Sequence, residues 1–578
     1  MNPKATPRNY VGLSNSPHDP ALAIVDSAGR VVFAEGAERH LQNKRAWCSV
    51  PDDIFRVKKL LREYCEPGAD LVVSTTWRDN FLKGMRFFLL SPLFQPVVRK
   101  LIPPWRYPGI RMLVAGARPE AGINLQAQFS GLAPRAAVIK KSFDHHLTHA
   151  AAACFSSPFR EALCVIVDGY GQFSSTAVFH YQGGRIKRLS EFGRSPRSLG
   201  FFYADICWAC GFESLGGEEW KVMGLAPYGK RDEGLYQSLR SILRTRDGRF
   251  VAGADERNGY RDLFSRFRRP ETPPLASADL AFTGQQFFCD LMAEFLDGVY
   301  RTGLSENLVL GGGCALNSAC VGKIPELTSF KNCHVFCAPG DDGNAVGAAL
   351  LGYYEDHPGE FRTPAHQTPY LGGELEASSV GHLERYSGLR RTRLEPGETI
   401  SARVAQLLAN GKIVGWAQGR AEFGPRALGN RSILADPRSP TVKERLNAEV
   451  KYREEFRPFA PSILHEHGPE YFENYVETPY MERALRFRPE ARGRVPGVAH
   501  VDGTGRLQTV KREWNERYYD LIGAFHGLTG VPIVLNTSFN VMGKPIIHSV
   551  EDAVAVYLTS GLDALALGGH LYEKQAGG

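Results

Sequence analysis

Between Gly419 and Phe459 nine Lys or Arg residues stand against six Asp or Glu, in a stretch broken by Gly and Pro. A solvated helix face repeats its charges every three or four residues. Here the cations sit in and beside a glycine-rich turn, Gly424-Pro-Arg426-Ala-Leu-Gly429. Arginine forks and turn N–H groups so placed suit phosphate or carboxylate oxygens. Lys451, Arg453 and Arg457 follow the turn. Further on, Asp502-Gly-Thr-Gly-Arg506 presents an arginine from a glycine turn, and Leu535-Asn-Thr-Ser538 presents a hydroxyl at a strand end. Together these groups could surround a small anion and a triphosphate, with Arg426 as a phosphate contact.

A second chemistry is written at Asp144-His-His-Leu-Thr-His149. On a helix His145 and His149 share a face and can reach one cation. A metalloprotease would carry Glu after the first His; His146 stands there instead. A third ligand is needed, and Asp341, in the turn Pro339-Gly-Asp-Asp-Gly343, is the best candidate. Two imidazoles and a carboxylate with open positions suit Fe(II), Zn(II) or a similar divalent ion. His18, in Ser-Pro-His-Asp19, could take a proton from an attacking hydroxyl, the work an imidazole is suited to near neutral pH. The turns Asp168-Gly169-Tyr-Gly171 and Gly311-Gly312-Gly313-Cys-Ala-Leu-Asn317 let a nucleotide approach the backbone closely. Their glycines and Asn317 are therefore candidates for a nucleotide cleft, and Lys221, inside the segment Gly217–Gly229, is a candidate phosphate contact.

The elements that must position these residues follow from the apolar pattern. Tyr10–Leu13, Ala21–Val25 and Arg30–Ala34 read as strands, the last entered through the turn Asp26–Gly29, and Leu163–Val167, a glycine turn and Thr176–Tyr181 repeat that arrangement about 150 residues on. The recurrence hints at an internal duplication. Helices are expected over Asp52–Cys65, from Asp144 through the alanine run, over Phe282–Thr302 and over Asn344–Tyr353, with strands at Leu308–Leu310 and His334–Cys337. From His357 to about Glu398 the periodic signal gives way to Pro, Gly and polar residues, so the main boundary is placed between residues 365 and 366. Beyond it come a helix at Ala402–Leu408, strands at Ile413–Ala417 and Ile533–Leu535, and a helix at Val550–Leu558 capped by Ser549.

Size and composition bound the function. At 578 residues the chain exceeds one core, and 43% apolar with 23% charged residues is ordinary for a water-soluble protein. A net charge of +7 permits anionic small substrates without the basic stripe that nucleic acid would demand. No secretion signal opens the chain, and the apolar run Phe87–Val98 is too short and too interrupted to span a bilayer. Eleven scattered cysteines point to a reducing, cytoplasmic setting, with Cys207 and Cys210 as core residues. Arg78–Arg111 mixes seven basic residues with one acidic residue and many aromatics; it fits a lid, a membrane-touching patch or part of an acceptor pocket, and an irregular surface insertion as well as those three together.

With these pieces assembled, the chain resembles the ATP-dependent O-carbamoyltransferases that modify antibiotics and nodulation factors. The motifs that carry the likeness are EFGPRALGNRSILADPR from Glu422, KYREEFRPFAPS from Lys451, DHHLTHA from Asp144 and GEEWKVMGLAPYG from Gly217. The resemblance implies an α/β chain. Its residues 1–365 would form a duplicated actin-like (ASKHA) ATPase fold, and 366–578 a threonylcarbamoyl-adenylate synthase-like domain. It further implies that the second part makes carbamoyl-adenylate from carbamoyl phosphate and ATP, with Mg accompanying ATP, through Arg426, Lys451, Arg457, Arg506 and Ser538. In the first part His145, His149 and Asp341 would bind iron, and His18 would face a small-molecule acceptor hydroxyl. Partners would then be the acceptor, ATP and carbamoyl phosphate, without nucleic acid or a membrane span; a homodimer is compatible with all of this. An amine acceptor, a protein thiol acceptor and a non-catalytic nucleotide-binding scaffold are the competing readings.

Overall fold

The computed structural model describes residues 7–78, 120–172, 174–193, 198–359 and 368–574. Its first sheet is built from β1 (Arg8–Ser14), β2 (Ala21–Val25), β3 (Val31–Gly36), β4 (Asp70–Thr75) and β5 (Val138–Ser142) in the order β3-β2-β1-β4-β5. The β1–β2 and β2–β3 pairs are antiparallel, while β4 and β5 are added in parallel. The second sheet uses β6 (Glu161–Val167), β7 (Thr176–Gln182), β8 (Arg185–Phe192), β11 (Asn307–Gly311) and β12 (Asn332–Val335), in the order β12-β11-β6-β7-β8. Its pairings repeat those of the first sheet, antiparallel along β6-β7-β8 and parallel through β11 and β12. The duplicated actin-like arrangement is thus written in the topology, and the strand-turn-strand recurrence of the sequence was its trace. A small ribbon, β9 (Leu243–Arg246) with β10 (Arg249–Ala252), hangs from the second half.

Two equivalent helices fill the space between the sheets, His145–Ser156 after β5 and Asn344–Asp356 after β12. The first carries the run Ala150–Ala153 and the second mixes Ala with Gly347 and Gly352, small residues that let the two lie close together. A Cβ at Gly347 would sit 1.9 Å from the Thr148 carbonyl, and one at Gly12 on β1 would sit 1.9 Å from that of Ala345. Larger residues at either place would pry the halves apart. The long helix starts earlier than its apolar pattern suggests, at Ala278, and ends at Tyr300. The strand expected at His334–Cys337 lies instead at Asn332–Val335, because the following residues already turn toward Asp341. Cys207 and Cys210 are core residues, as expected.

The third sheet has eight strands: β13 (Val414–Ala417), β14 (Arg431–Ala435), β15 (Ala460–Leu464), β16 (Arg483–Arg486), β17 (Thr504–Val510), β18 (Ile533–Ser538), β19 (Ala564–Leu567) and β20 (His570–Glu573). Their order is β16-β17-β15-β18-β14-β13-β19-β20. Fully buried Trp416 anchors its core and donates Nε1–H to the Gly429 carbonyl at 2.8 Å. Ser549 and Asp552 form a capping box on the helix Val550–Thr559. This sheet is seated on the duplicated part by backbone contact: a Cβ at Gly424 (φ +97°) would strike the Cys337 carbonyl at 2.3 Å, and one at Gly322 the Ala484 carbonyl at 2.1 Å. Most of the Arg78–Arg111 segment lies outside the described residues.

Candidate functional site

The duplication explains how distant residues meet. His145 begins the helix after β5, with Asp144 as its N-cap, and Asp341 lies in the 3-10 turn that leads into the equivalent helix after β12. The two helix starts face each other, so one half supplies imidazoles and the other a carboxylate. A fourth group completes the set: His145, His149, Asp168 and Asp341 offer one ligand atom each, all within 4.8 Å of one another. His145 Nε2 is 3.3 Å from Asp168 Oδ2 and 3.6 Å from Asp341 Oδ1; His149 Nε2 is 3.4 and 3.3 Å from the same atoms. Four ligands about 2.1 Å from a tetrahedral centre are separated by about 3.4 Å. The donor set therefore fits a divalent ion. His149 Nε2 is also buried without a hydrogen-bond partner among the described residues, as a ligand aimed at a cation would be. Burial works against charging His149, yet Asp168 and Asp341 lift its pKa to about 9, a sign of how much negative charge the site concentrates.

Asp168 was hidden in the sequence as the first residue of a glycine turn. Its Oδ1 accepts N–H bonds from Gly169 at 2.8 Å and Gly313 at 3.1 Å. The two glycine turns thus aim a ligand, and those two amides are not free for phosphate. Gly169, Gly313 and Asn317 do reach the cavity wall. Asn317 is engaged with Gln285 at 3.0 Å in both directions. Gly171, Gly311 and Gly312 do not line the cavity, and packing leaves little room at each. A Cβ on them would meet His146 Nε2 at 2.5 Å, Ile166 Cδ1 at 2.9 Å and the Val167 carbonyl at 2.4 Å respectively. His146, turned toward Ser174 Oγ at 3.1 Å, is driven down to about 3 by burial and stays neutral.

His18 lies in the β1–β2 loop, with Nδ1 2.8 Å from Asp19 Oδ2 and 4.0 Å from Asp341 Oδ2. Arg45 holds Asp19 Oδ2 at 3.0 Å, from a loop where Arg45, Ala46 and Cys48 all take positive φ. Such strain persists only where surrounding contacts over-determine it. His18 therefore borders the cluster of metal-type donors.

The arginine block divides. Arg431 is fully buried and spends its guanidinium on carbonyls, including Gln418 at 2.6 Å and Gly419 at 3.0 Å. At the end of the Gly424–Gly429 turn some N–H groups are already engaged. Glu422 Oε1 already accepts from Leu428, Asn430 and Arg431 at 2.6, 2.8 and 3.1 Å. The turn does grip a carboxylate, but its own. Arg426, Lys451, Arg453, Arg457, Arg506 and Ser538 all line the cavity. Lys451 closes a short π-helical turn, Leu446–Lys451, and is buried. Its Nζ reaches the Ser538 carbonyl at 2.7 Å, the Asn540 carbonyl at 2.9 Å and Asn540 Oδ1 at 2.5 Å. Burial, then Arg453 and Arg457, push its pKa well below the usual lysine value. Arg426 is pushed down to about 10 by burial, and Arg506 further by burial together with Arg426 and Arg453. Arginine keeps its proton in such places. The direction measures a pocket short of negative charge, which an anionic ligand would supply.

Lys221, the candidate phosphate contact, does not line the cavity; it pairs with Glu218 at 2.7 Å and Glu454 at 2.9 Å, bridging the two parts of the chain. Its neighbour Trp220, which the sequence gave no reason to single out, does line the cavity and carries Arg457 at 3.9 Å over its ring. One cavity of about 1630 Å³ takes in His18, Asp168 and Asp341 at one side and Arg426, Lys451 and Arg506 at the other. Among the described residues, no helix is long and apolar enough to cross a membrane.

Comparison with known proteins adds to this geometry. A family model described as Carbamoyltransferase N-terminus matches residues 115–350, and one described as Carbamoyltransferase C-terminus matches residues 405–574. Nodulation protein NolO of Bradyrhizobium diazoefficiens is 38% identical over 453 residues, 75% of this chain and 79% of that protein. Nodulation protein NolNO of Sinorhizobium fredii is 38% identical over 461 residues; the match takes in 75% of this chain but 63% of the relative's own length. The 3'-hydroxymethylcephem-O-carbamoyltransferase of Amycolatopsis lactamdurans is 32% identical over 364 residues, 62% of this chain and 65% of that enzyme.

Proposed function

The chain belongs to the carbamoyltransferase family, and on that premise we propose that it works in two steps within one cavity. In the C-terminal part, from about residue 366, water cleaves carbamoyl phosphate to carbamate and inorganic phosphate, and a carbamate oxygen then attacks the α-phosphorus of ATP, forming carbamoyl-adenylate and expelling pyrophosphate. Negative charge gathers on the α-phosphate during that attack. Arg426, Lys451, Arg457 and Arg506 are preplaced to meet it, with the Ser538 hydroxyl beside them. In the N-terminal part an acceptor hydroxyl attacks the carbamoyl carbon, AMP leaves, and His18 takes the hydroxyl proton.

His145, His149, Asp168 and Asp341 would hold a divalent ion, with Fe(II) the first choice, and that ion would supply positive charge for phosphate oxygens of the departing AMP. Asp19, itself held by Arg45, keeps His18 in place. Carbamate decomposes in water, so its capture benefits from an enclosed site.

The single observation that carries this reading is the shared cavity: the cationic wall and the His18–Asp341 wall bound the same space. It also tells against a non-catalytic scaffold, which would gain nothing from lining its cavity with Arg426, Arg453 and Arg506, none of them in an ion pair among the described residues. Relatives named for cephem and nodulation chemistry support a small-molecule hydroxyl as acceptor over a protein thiol.

The test is pyrophosphate release from ATP that depends on carbamoyl phosphate. No release under any divalent metal condition refutes the first step. His18→Asn should keep release and lose transfer to the acceptor; equal loss of both refutes the division of labour.

A further inference from the structure

The segment Gly217–Gly229 crosses from one half of the chemistry to the other without an assigned task. Its helix, Glu219–Leu225, belongs to the duplicated part. Its Trp220 ring lies 3.9 Å beneath the Arg457 guanidinium carbon, and Lys44 Nζ lies 5.6 Å from the same ring centre. Arg457 Nη1 donates to Glu454 Oε2 at 3.2 Å, and its Nε is buried without a partner among the described residues. Glu454 is shared, because its Oε1 takes Lys221 Nζ at 2.9 Å. Arg457 is therefore incompletely neutralised by carboxylate, and an aromatic face does the rest.

We propose that Trp220 is a positioning residue for the adenylate-forming step, supplied to the C-terminal site by the N-terminal half. This rests on the reading of Arg457 as one of the cations that meet the α-phosphate. A guanidinium binds anions through the N–H groups in its own plane, while an aromatic face attracts it from above that plane. The indole thus fixes the plane of Arg457 and offsets part of its desolvation without consuming a donor. A second carboxylate there would neutralise the cation and occupy the donors that the ligand needs. The Lys221–Glu454 pair, with Lys221 buried, pins the loop from which Arg457 projects to the same helix. Adenylate formation is consequently faster with the receiving half docked, which favours making the labile intermediate where the acceptor site adjoins it.

The experiment measures pyrophosphate release from ATP and carbamoyl phosphate by the full chain and its variants. Trp220→Leu should lower the rate on the order of tenfold, the effect of one desolvated cation–π contact, while Trp220→Phe, which keeps a π face, should retain most of it. In an Arg457→Ala background Trp220→Leu should cost nothing more, since its effect acts through that guanidinium. If Trp220→Leu does not fold, Trp220→Met, with similar reach and no ring, replaces it. Wild-type rates in the ringless variant, Phe failing as badly as Leu, or additive losses with Arg457→Ala would each overturn the proposal. Silence from the wild-type chain would instead refute the underlying two-step reading.

Discussion

Replacing Lys451 by Met tests the cationic pocket most directly. An ammonium has three N–H donors; Lys451 faces four oxygens, the carbonyls of Ser538 and Asn540 at 2.7 and 2.9 Å, Ser538 Oγ at 3.3 Å and Asn540 Oδ1 at 2.5 Å. No carboxylate shares the charge among its hydrogen-bond partners. Those oxygens take up its three N–H groups, so Lys451 would meet the developing charge as a fixed positive charge, and losing one preplaced electrostatic group costs about 10²–10³ in rate, or about 2.7–4 kcal/mol. Lys451→Met should lose pyrophosphate release by that factor. Its fold should survive, because the loss of hydrogen bonds is opposed by relief from Arg453 and Arg457.

The pH dependence carries a second, sharper sign. Lys451 is held well below the ordinary lysine pKa of about 10.4. The folded state therefore bears a penalty at every pH below the folded value, and the penalty fades as pH climbs from there toward about 10.4. Catalysis needs the ammonium and falls across the same interval. Wild-type stability relative to Lys451→Met should thus rise with pH while wild-type release declines, as read by thermal melts and initial rates in matched buffers. A folded variant losing less than tenfold, or a stability difference that is flat or falls with pH, would refute the reasoning.

Three further outcomes are expected. Asp168→Ala should reduce bound divalent metal, by elemental analysis, about as far as His149→Ala does, with the circular dichroism of the fold unchanged; full occupancy in Asp168→Ala would return that residue to a purely structural role. Gly312→Ala combines φ +85° with a Cβ 2.4 Å from the Val167 carbonyl, so chemical denaturation should show a loss of about 2–4 kcal/mol. Glu454 resists ionisation through burial, but Lys221 holds it down to about 2. Its stabilisation is present above the unfolded carboxylate value of about 4.3 and is lost as pH falls toward 2; Glu454→Gln should flatten the acid limb of a melting-temperature profile.

The local elements and the chemical types were legible in the residues alone. Apolar periodicity marks the strands that became β1, β2, β6 and β11 and the helix from His145, because period and burial are properties of a short window. The spacing of His145 and His149 sets two metal-type donors on one helix face for the same reason, and Lys451 and Arg457 stand out by the excess charge of their stretch. Which of the basic and glycine residues were available for a ligand was decided elsewhere. Glu422 occupies the N–H groups of Leu428, Asn430 and Arg431 at the end of the arginine turn, Arg431 is consumed by carbonyls, and Lys221 is taken by Glu454. Each of those partnerships hangs on hydrogen-bond and ion-pair distances that no one-dimensional spacing encodes. Asp168 became a ligand-type carboxylate, and Trp220 the support of Arg457, only when a duplicated pair of sheets and a third sheet closed around one cavity. Sequence determines what a side chain can do; packing determines which of its possible partners lies within 3 or 4 Å and so what remains free to act.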